Sequence, residues 1–308
     1  MLIAISEPVG RNLVDGLQDL GEVRYDPSAW RDAERVARVG ENAALLVTRS
    51  KTEVSRSLLD RWPALRCVVV YGAGTDHLHL AELREREIDV LRSSAATATS
   101  VAEFTLALTL NLLRRIPEAL EQTASGGWDH RALIGSELAG KTVCVVGCGP
   151  MGAYTARLFA HFQCDVRVAR KSKCTPLPQG LRRLGCRLAE LDEALAEAAV
   201  VSLHVPGGRR TSCLLDRPRL ERLSPSSIVV NTSRGSVLDF ESVVSLVREG
   251  RLGGAAMDVL QVEPPPSPLP SHPRLLFTPH LALYSREAIQ RRVSDILEQV
   301  ASWIREAG

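Results

Sequence analysis

The sequence carries little net charge, no paired-cysteine motif, no long apolar run and no internal repeat, and each absence removes a class of function. Its 38 Lys and Arg residues against 36 Asp and Glu leave a formal net charge of +2. That is too small to make nucleic acid or a membrane surface the expected partner. The seven cysteines (Cys67, Cys144, Cys148, Cys164, Cys174, Cys186 and Cys213) are odd in number and scattered, with no Cys-x-x-Cys pair. They read as reduced thiols that pack as small apolar groups, and no metal is expected. The most apolar helical stretch, Val101 to Leu113, contains Glu103 and Asn111 and is too short to cross a bilayer. Met1-Leu-Ile-Ala-Ile-Ser6 has no basic leader and reads as a first strand, so the expected location is the cytoplasm.

What is present is the balance of a globular protein: 308 residues, 45% hydrophobic and 24% charged, enough for two domains. Short apolar runs at 2–5, 43–48, 67–70 and 88–91 alternate with helical patterns. A second alternating series has runs at 142–146, 165–169, 200–204, 228–231, 254–257 and 275–278. Such alternation predicts α/β architecture with parallel sheets covered on both faces. A long helix is expected from Ser100, as N-cap, to Arg115, and a final one over 285–305. The Pro-rich run 264–273 is expected to be a surface loop. The alternation therefore predicts two parallel-sheet domains, residues 1–98 completed by 284–308, and residues 99–283.

The string Gly147-Cys-Gly-Pro-Met-Gly152 directly follows the strand 142–146 and opens a helix. In that context Gly147 permits the tight turn, Gly149 lets backbone amides approach a pyrophosphate, and Gly152 lets helix and strand pack closely. The helix start, with Pro150 and Met151 in its first turn, adds amides and a positive dipole end. The end of the next strand is where an acid usually meets the ribose hydroxyls of NAD. Here that position is Arg170, followed by Lys171 and Ser172. Guanidinium, ammonium and hydroxyl groups suit a 2′-phosphate, so NADP(H) is expected ahead of NAD(H).

Three residues at later strand ends bear chemistry: Arg234 in Asn231-Thr-Ser-Arg-Gly235, Glu263 in Asp258-Val-Leu-Gln-Val-Glu-Pro264, and His280 in Thr278-Pro-His280. Arg234 suits a carboxylate and an adjacent carbonyl. A histidine is a natural general acid and base near neutral pH. Glu263, if hydrogen-bonded to His280, would hold the tautomer and keep the proton available. Taken singly each is an ordinary loop residue. Their common placement at carboxyl ends of parallel strands is what marks them as a site.

With these strings the sequence resembles the D-isomer-specific 2-hydroxyacid dehydrogenase family from about Ala43 onward. The resemblance implies two Rossmann-like or flavodoxin-like parallel-sheet domains with an active-site cleft between them, residues 1–98 with 284–308 as the substrate domain and residues 99–283 as the dinucleotide domain. The resemblance is carried further by Tyr71-Gly-Ala-Gly-Thr-Asp76, Ser100-Val-Ala-Glu103, Gly127-Trp128, Glu137-Leu-Ala-Gly-Lys-Thr142, Val201-Ser-Leu-His-Val-Pro206 and Gly254-Ala-Ala-Met-Asp-Val259. It implies that Arg234 binds the substrate carboxylate, Glu263 supports the histidine and His280 passes the proton. It also implies backbone amides from Gly72, Ala73 and Gly74 for that carboxylate. Thr232 and Asp258 would border the nicotinamide, Val205 and Pro206 would line the cofactor cleft, and two copies would pair through the cofactor domains. Arg49 resembles a basic position that in some relatives meets a second anionic group. The first forty residues, Ser93–Thr99 and Arg170 depart from the usual pattern. The expected activity is an NADP(H)-preferring reduction of a 2-oxo acid to a D-2-hydroxy acid. The rivals are a phosphite-type anion dehydrogenase and a non-catalytic dinucleotide-sensing scaffold.

Overall fold

The computed structural model describes residues 1–170 and 176–307 and divides into two compact units: residues 1–97 with 286–308, and residues 98–285. In the first unit five parallel strands, β1 (Leu2–Ile5), β2 (Glu22–Tyr25), β3 (Leu45–Thr48), β4 (Cys67–Val70) and β5 (Asp89–Arg92), lie in the order β2-β1-β3-β4-β5. This is the flavodoxin-like order, in which the chain leaves β1 and β3 in opposite directions and opens a crevice at their carboxyl ends. The central strands β3 and β4 are buried at every residue and are almost wholly apolar, as a sheet covered on both faces demands.

The C-terminal helix Arg286–Ala307 belongs to this unit. Ile296 and Val300 join Ile3, Ile5, Leu13, Leu17 and Val69 in one apolar cluster. Trp303 Nε1 donates to Asp89 at 2.8 Å, fixing the far end of the helix to β5. On the other face Trp62 is buried against Val36, Val39 and Leu59, and its indole N–H reaches the Ala37 carbonyl at 2.9 Å. A ring of that size needs a polar partner for its one donor, and here it finds one.

The second unit has seven parallel strands: β6 (Thr142–Val146), β7 (Asp165–Ala169), β8 (Arg187–Ala189), β9 (Val200–Leu203), β10 (Ile228–Asn231), β11 (Gly254–Met257) and β12 (Leu275–Phe277). Their order is β12-β11-β10-β9-β6-β7-β8, a doubly wound sheet whose switch point lies between β6 and β9. The glycine loop leaves β6 and Val205-Pro206 leaves β9, so the fold brings both to that point. The helix Ala98–Leu113 covers one face with Leu108, Leu112 and Leu113 in the cluster that contains Val143, Val145 and Phe159.

Two details differ from what the sequence predicts. The long helix starts at Ala98, so Ser100 lies inside its first turn and is no N-cap; the Ser100 hydroxyl donates to the Ala282 carbonyl at 2.8 Å instead. Strands β2 and β8 also escape prediction. Both are sheet edges: Glu22-Val-Arg-Tyr25 is mostly exposed, and Arg187-Leu-Ala189 is only three residues with none fully buried, so neither has the apolar run that marks a central strand.

Candidate active site

The register of the second sheet explains why Arg234, Glu263 and His280 meet. Asn231 at the end of β10 pairs with Met257 of β11, and Met257 pairs with Phe277 of β12. Neighbouring strands lie about 4.8 Å apart, so the three loops that follow emerge side by side. Each is held by its own polar contacts.

The Arg234 loop is closed by Asn231. The Asn231 side-chain oxygen accepts the Ser233 amide (3.0 Å) and hydroxyl (2.8 Å), and its NH2 donates to the Arg234 carbonyl at 2.9 Å. Gly235 then passes so close to the next loop that an added Cβ would lie 2.0 Å from the Leu260 carbonyl carbon and 2.2 Å from the Gln261 nitrogen. A glycine is required there because the obstacle is backbone. The close approach ties the arginine loop to the loop that carries Glu263. Thr232 shares a 2.9 Å hydrogen bond with Thr105 of the long helix, which anchors the same loop from below.

Glu263 divides its two oxygens. Oε1 accepts the Leu260 amide at 2.9 Å, and Oε2 lies 2.8 Å from His280 Nδ1. Burial alone would push the carboxyl up. The His280 hydrogen bond, the Leu260 amide and the charges of His280 and Arg234 outweigh it and hold the group below the usual carboxylate value of 4.5. An ionised carboxylate can only accept, so the proton on His280 Nδ1 is fixed by its partner and Nε2 is left for exchange.

His280 occupies the left-handed region at φ 57°, an uncommon conformation for a residue with a side chain. Asp258 holds it there. This carboxylate is 1% exposed; Oδ1 accepts the Thr278 hydroxyl (2.6 Å) and the Leu281 amide (2.7 Å), while Oδ2 accepts the Ala282 amide (2.9 Å). The Asp258 carbonyl also accepts the His280 amide at 2.9 Å. Sequence reasoning placed Asp258 beside the cofactor and missed this clamp. The only signal was its position at the end of a buried strand.

At the switch point, Gly147 has φ 106°, and a Cβ on it would meet the His204 carbonyl oxygen at 2.3 Å. A Cβ on Gly152 would meet the Gly147 carbonyl oxygen at the same distance, whereas one on Gly149 would meet nothing within 4 Å. Close packing at the first and third glycines and open space at the second is the arrangement that lets a pyrophosphate reach the helix Pro150–His161. Met151 sits in the first turn of that helix, Val205 packs beside Gly147, and Pro206 is exposed. His204 itself is buried, shares a 2.7 Å hydrogen bond with Ser202, and is pushed by burial down to about 3, so it stays neutral. It packs the loop and is not a second acid or base at neutral pH.

Arg170 follows β7, whose Ala169 carbonyl accepts the Gly147 amide at 2.8 Å. Its Nε and Nη2 are buried without a hydrogen-bond partner among the described residues, and its charge reaches Cys148 in the glycine loop. Two orphaned donors on a guanidinium beside a dinucleotide loop fit a phosphate. Lys171 and Ser172 lie outside the described residues.

In the first unit, Gly72–Gly74 follow β4 and Arg49 follows β3. The Gly72 amide donates to the Val70 carbonyl at 2.7 Å, while the Ala73 and Gly74 amides take no partner among the described residues. A Cβ on Gly72 would meet nothing within 4 Å.

A doubly wound sheet with a dinucleotide loop and a His–Glu pair beside an arginine defines a nicotinamide-type oxidoreductase architecture. Residues 106–282 match the family described as D-isomer specific 2-hydroxyacid dehydrogenase, NAD binding domain, and the chain belongs to that family. It is 33% identical over 300 residues to a D-3-phosphoglycerate dehydrogenase of Mycobacterium bovis, covering 97% of this chain and 56% of that protein. The chain thus spans little more than half the length of that relative. It is 32% identical over 292 residues to an (S)-sulfolactate dehydrogenase of Chromohalobacter salexigens, covering 94% of each. A crystal structure of a Thermus thermophilus protein superposes with a TM-score of 0.83 at 30% identity, covering 99% of this chain and 97% of that one. Among the described residues no helix is long and apolar enough to cross a membrane.

Proposed function

We propose that the chain is an NADP(H)-preferring oxidoreductase that moves hydride between nicotinamide and a 2-oxo acid or its D-2-hydroxy counterpart. The observation that carries this reading is the 2.8 Å contact between His280 and Glu263, in a site that also feels the charge of Arg234. The names of the relatives, dehydrogenases of phosphoglycerate and sulfolactate, support a 2-hydroxy acid as the substrate class.

Gly147, Gly149, Pro150, Met151 and Gly152 would hold the dinucleotide phosphates, with Val205, Pro206 and Thr232 along its length. Asp258 serves that region through the loop it clamps. When bound, the nicotinamide supplies or accepts the hydride. Arg170 supports the phosphorylated form, because a 2′-phosphate would satisfy its two buried donors. Lys171 and Ser172 are proposed beside it on sequence alone.

Arg234 would take the substrate carboxylate in its planar fork. For the first unit, the family resemblance alone supports the Ala73 and Gly74 amides and Arg49 as anion contacts. As hydride reaches the keto carbon, the carbonyl electron pair moves to oxygen and takes the proton from His280 Nε2. The ring is left neutral, with Nδ1–H still donated to Glu263. In the reverse direction Nε2 takes the hydroxyl proton as hydride leaves carbon. Positioning and preorganised charge carry most of the acceleration in such a site.

The test is spectrophotometric: NADPH and NADH consumption with glyoxylate, hydroxypyruvate, pyruvate and bulkier or anionic 2-oxo acids. Turnover that falls by about 10²-fold or more in His280→Ala and Arg234→Ala supports the reading. Dinucleotide binding without turnover on any acid, or turnover on phosphite alone, overturns it. We also infer a cytoplasmic homodimer. The six described cysteines are free thiols, and Leu120, Trp128 and Ile134 present an exposed apolar arm suited to a second copy. A monomer in analytical ultracentrifugation would overturn the dimer.

A further inference from the structure

In the first unit, the loop that leaves β4 turns around one buried ring. Tyr71, the residue after β4, is 4% exposed and joins Ile3, Val69, Ile296 and Val300 in one apolar cluster. Its amide donates to the Thr48 carbonyl of β3 at 2.7 Å, and the Gly72 amide donates to the Val70 carbonyl at 2.7 Å. These bonds make a three-residue turn centred on Tyr71, so the placement of that residue sets the direction in which residues 72–74 leave the sheet. The far end of the same loop is held separately. Val54 and Leu78 form a parallel bridge, flanked by the Val54 amide on the His77 carbonyl (2.9 Å) and the His79 amide on the Val54 carbonyl (3.2 Å). Between the two anchors, Gly72 and Gly74 give the backbone little stiffness of its own, and a Cβ on Gly72 would meet nothing within 4 Å. Tyr71 is thus the anchor nearest to the Ala73 and Gly74 amides.

What holds the ring comes from the C-terminal helix of the same unit. Ala288, Ile296 and Val300 form a buried stripe at i, i+4 spacing, and the remaining member of that stripe is Arg292, only 2% exposed. Its guanidinium carbon lies 3.9 Å from the ring centroid of Tyr71, within the range at which the negative face of a ring attracts a cation. The Arg292 Nε is buried without a hydrogen-bond partner among the described residues. Glu7, a buried acid of this unit, is committed elsewhere. Its carboxylate accepts the Thr48 hydroxyl (2.5 Å) and the amides of Arg49 (3.0 Å), Ser50 (3.1 Å), Lys51 (3.0 Å) and Thr52 (2.8 Å). Burial pushes Glu7 up, and these donors more than reverse it, so it is ionised in the service of the loop after β3. The face of Tyr71 is what receives the Arg292 charge. A methionine or leucine at 292 would complete the apolar stripe without desolvating a cation, and such a replacement is often neutral or stabilising. Stability alone therefore gives no reason for the arginine.

We propose that Arg292 is a positioning residue for the reaction. Its guanidinium, stacked on Tyr71, fixes the ring, and the ring fixes the turn from which the Ala73 and Gly74 amides are presented to the substrate carboxylate. This rests on the reductase reading and on its use of those amides; Arg292 acts through Tyr71 and not on the substrate. A loop with two glycines has several backbone paths open to it, and without the stack the two amides point in different directions in each. Binding of the acid must then order the loop first, which weakens binding and leaves the chemical step unchanged once the acid is seated.

The experiment measures KM and kcat at saturating NADPH for glyoxylate, hydroxypyruvate or pyruvate, whichever is turned over fastest. The proteins are wild type, Arg292→Met, Tyr71→Leu, Tyr71→Phe and the double variant Arg292→Met with Tyr71→Leu. The expected result is a KM for the acid raised about tenfold in Arg292→Met and in Tyr71→Leu, with kcat within about threefold of wild type. Tyr71→Phe keeps the aromatic face and holds KM within about threefold. The double variant is no worse than either single one, because both break the same contact. Wild-type KM in Arg292→Met, a KM raised as much by Tyr71→Phe as by Tyr71→Leu, or losses that add in the double variant overturn the proposal. So does a lower Tm with unchanged KM, which is what a merely structural arginine gives. If Arg292→Met leaves no folded protein, the comparison of Tyr71→Leu with Tyr71→Phe decides. If no acid is turned over, the reductase reading fails, and calorimetric titration of the NADPH-loaded protein with oxamate decides the positioning role alone. Oxamate binding weakened about tenfold in Arg292→Met or Tyr71→Leu upholds it, and equal binding, or none in wild type, overturns it.

Discussion

His280 Nδ1 lies 2.8 Å from Glu263 Oε2, and the other Glu263 oxygen accepts the Leu260 amide at 2.9 Å. The carboxylate is thus fixed at both oxygens before it fixes the ring. Replacing it by glutamine keeps the shape and removes the charge. Glu263→Gln is expected to lower kcat by the order of 10²-fold while the dissociation constant for NADPH stays within about threefold. The folded Glu263 carboxyl is held below 4.5, so its contribution is present above that value and lost as pH falls through the lowered one. The wild-type advantage over the variant should therefore disappear only at pH values below the lowered one. A variant with wild-type kcat at neutral pH would contradict the assignment.

Asp258 separates two roles that the sequence alone leaves merged. A carboxylate that lines the nicotinamide would affect cofactor affinity, whereas one that clamps residues 278–282 affects the placement of His280. The three donors on its buried oxygens favour the clamp. In Asp258→Asn an NH2 must face at least one backbone amide, at a cost of about 1–3 kcal/mol. The expected outcome is a lower Tm and a kcat reduced by about tenfold or more, with NADPH affinity little changed. A large loss of NADPH affinity at normal kcat would reverse the assignment.

How much of this was legible follows from the residue pattern. Arg234, Glu263 and His280 stand in short strings after apolar runs, and parallel pairing in register brings such strand ends together. Arg170 stands out in the sequence because a cation stands where an acid is usual. Arg292 was not singled out, although its signal is present: a charge on the apolar stripe 288, 292, 296, 300 of an amphipathic helix. Glu7 gave less warning, since one acid after a first strand looks like any loop residue until five donor groups converge on it. Ser100 misled because a serine before an apolar helix resembles a cap, and only the Ala282 carbonyl, 182 residues away in sequence, shows what its hydroxyl does.

Cofactor choice is tested at Arg170. Its two unmet donors would each make a charge-assisted hydrogen bond to a 2′-phosphate, and losing one such bond is worth about 1.5–3 kcal/mol, or roughly 10- to 150-fold. Arg170→Ala should lower the NADPH-to-NADH ratio of kcat/KM by that factor, mainly through KM for NADPH. An unchanged ratio, or a wild type that prefers NADH, would remove Arg170 from the cofactor site.

Gly235 tests the coupling between the arginine loop and the glutamate loop. A methyl group there would overlap the Leu260 and Gln261 backbone at 2.0–2.2 Å, so the two loops must separate. Gly235→Ala is expected to lower kcat by about 10²-fold by displacing Arg234 from Glu263 and His280. Unchanged kcat would show that the loops act independently.

His204 gives the pH dependence of stability its sign. Its folded value is pushed down to about 3 from an ordinary 6.5, because burial disfavours the cation. Below about pH 6.5 the unfolded chain binds a proton that the folded chain does not, so stability falls as pH drops and rises again towards neutrality. The slope from this one group approaches about 1.4 kcal/mol per pH unit between about pH 6 and pH 4. His204→Gln removes the titrating group while leaving a side chain able to bond the Ser202 hydroxyl. Urea unfolding at several pH values should show a shallower acid slope in the variant, whatever its stability at neutral pH. Parallel curves for the two proteins across that range would mean that His204 takes up its proton in the folded state, and that its neutral, packing role is wrong.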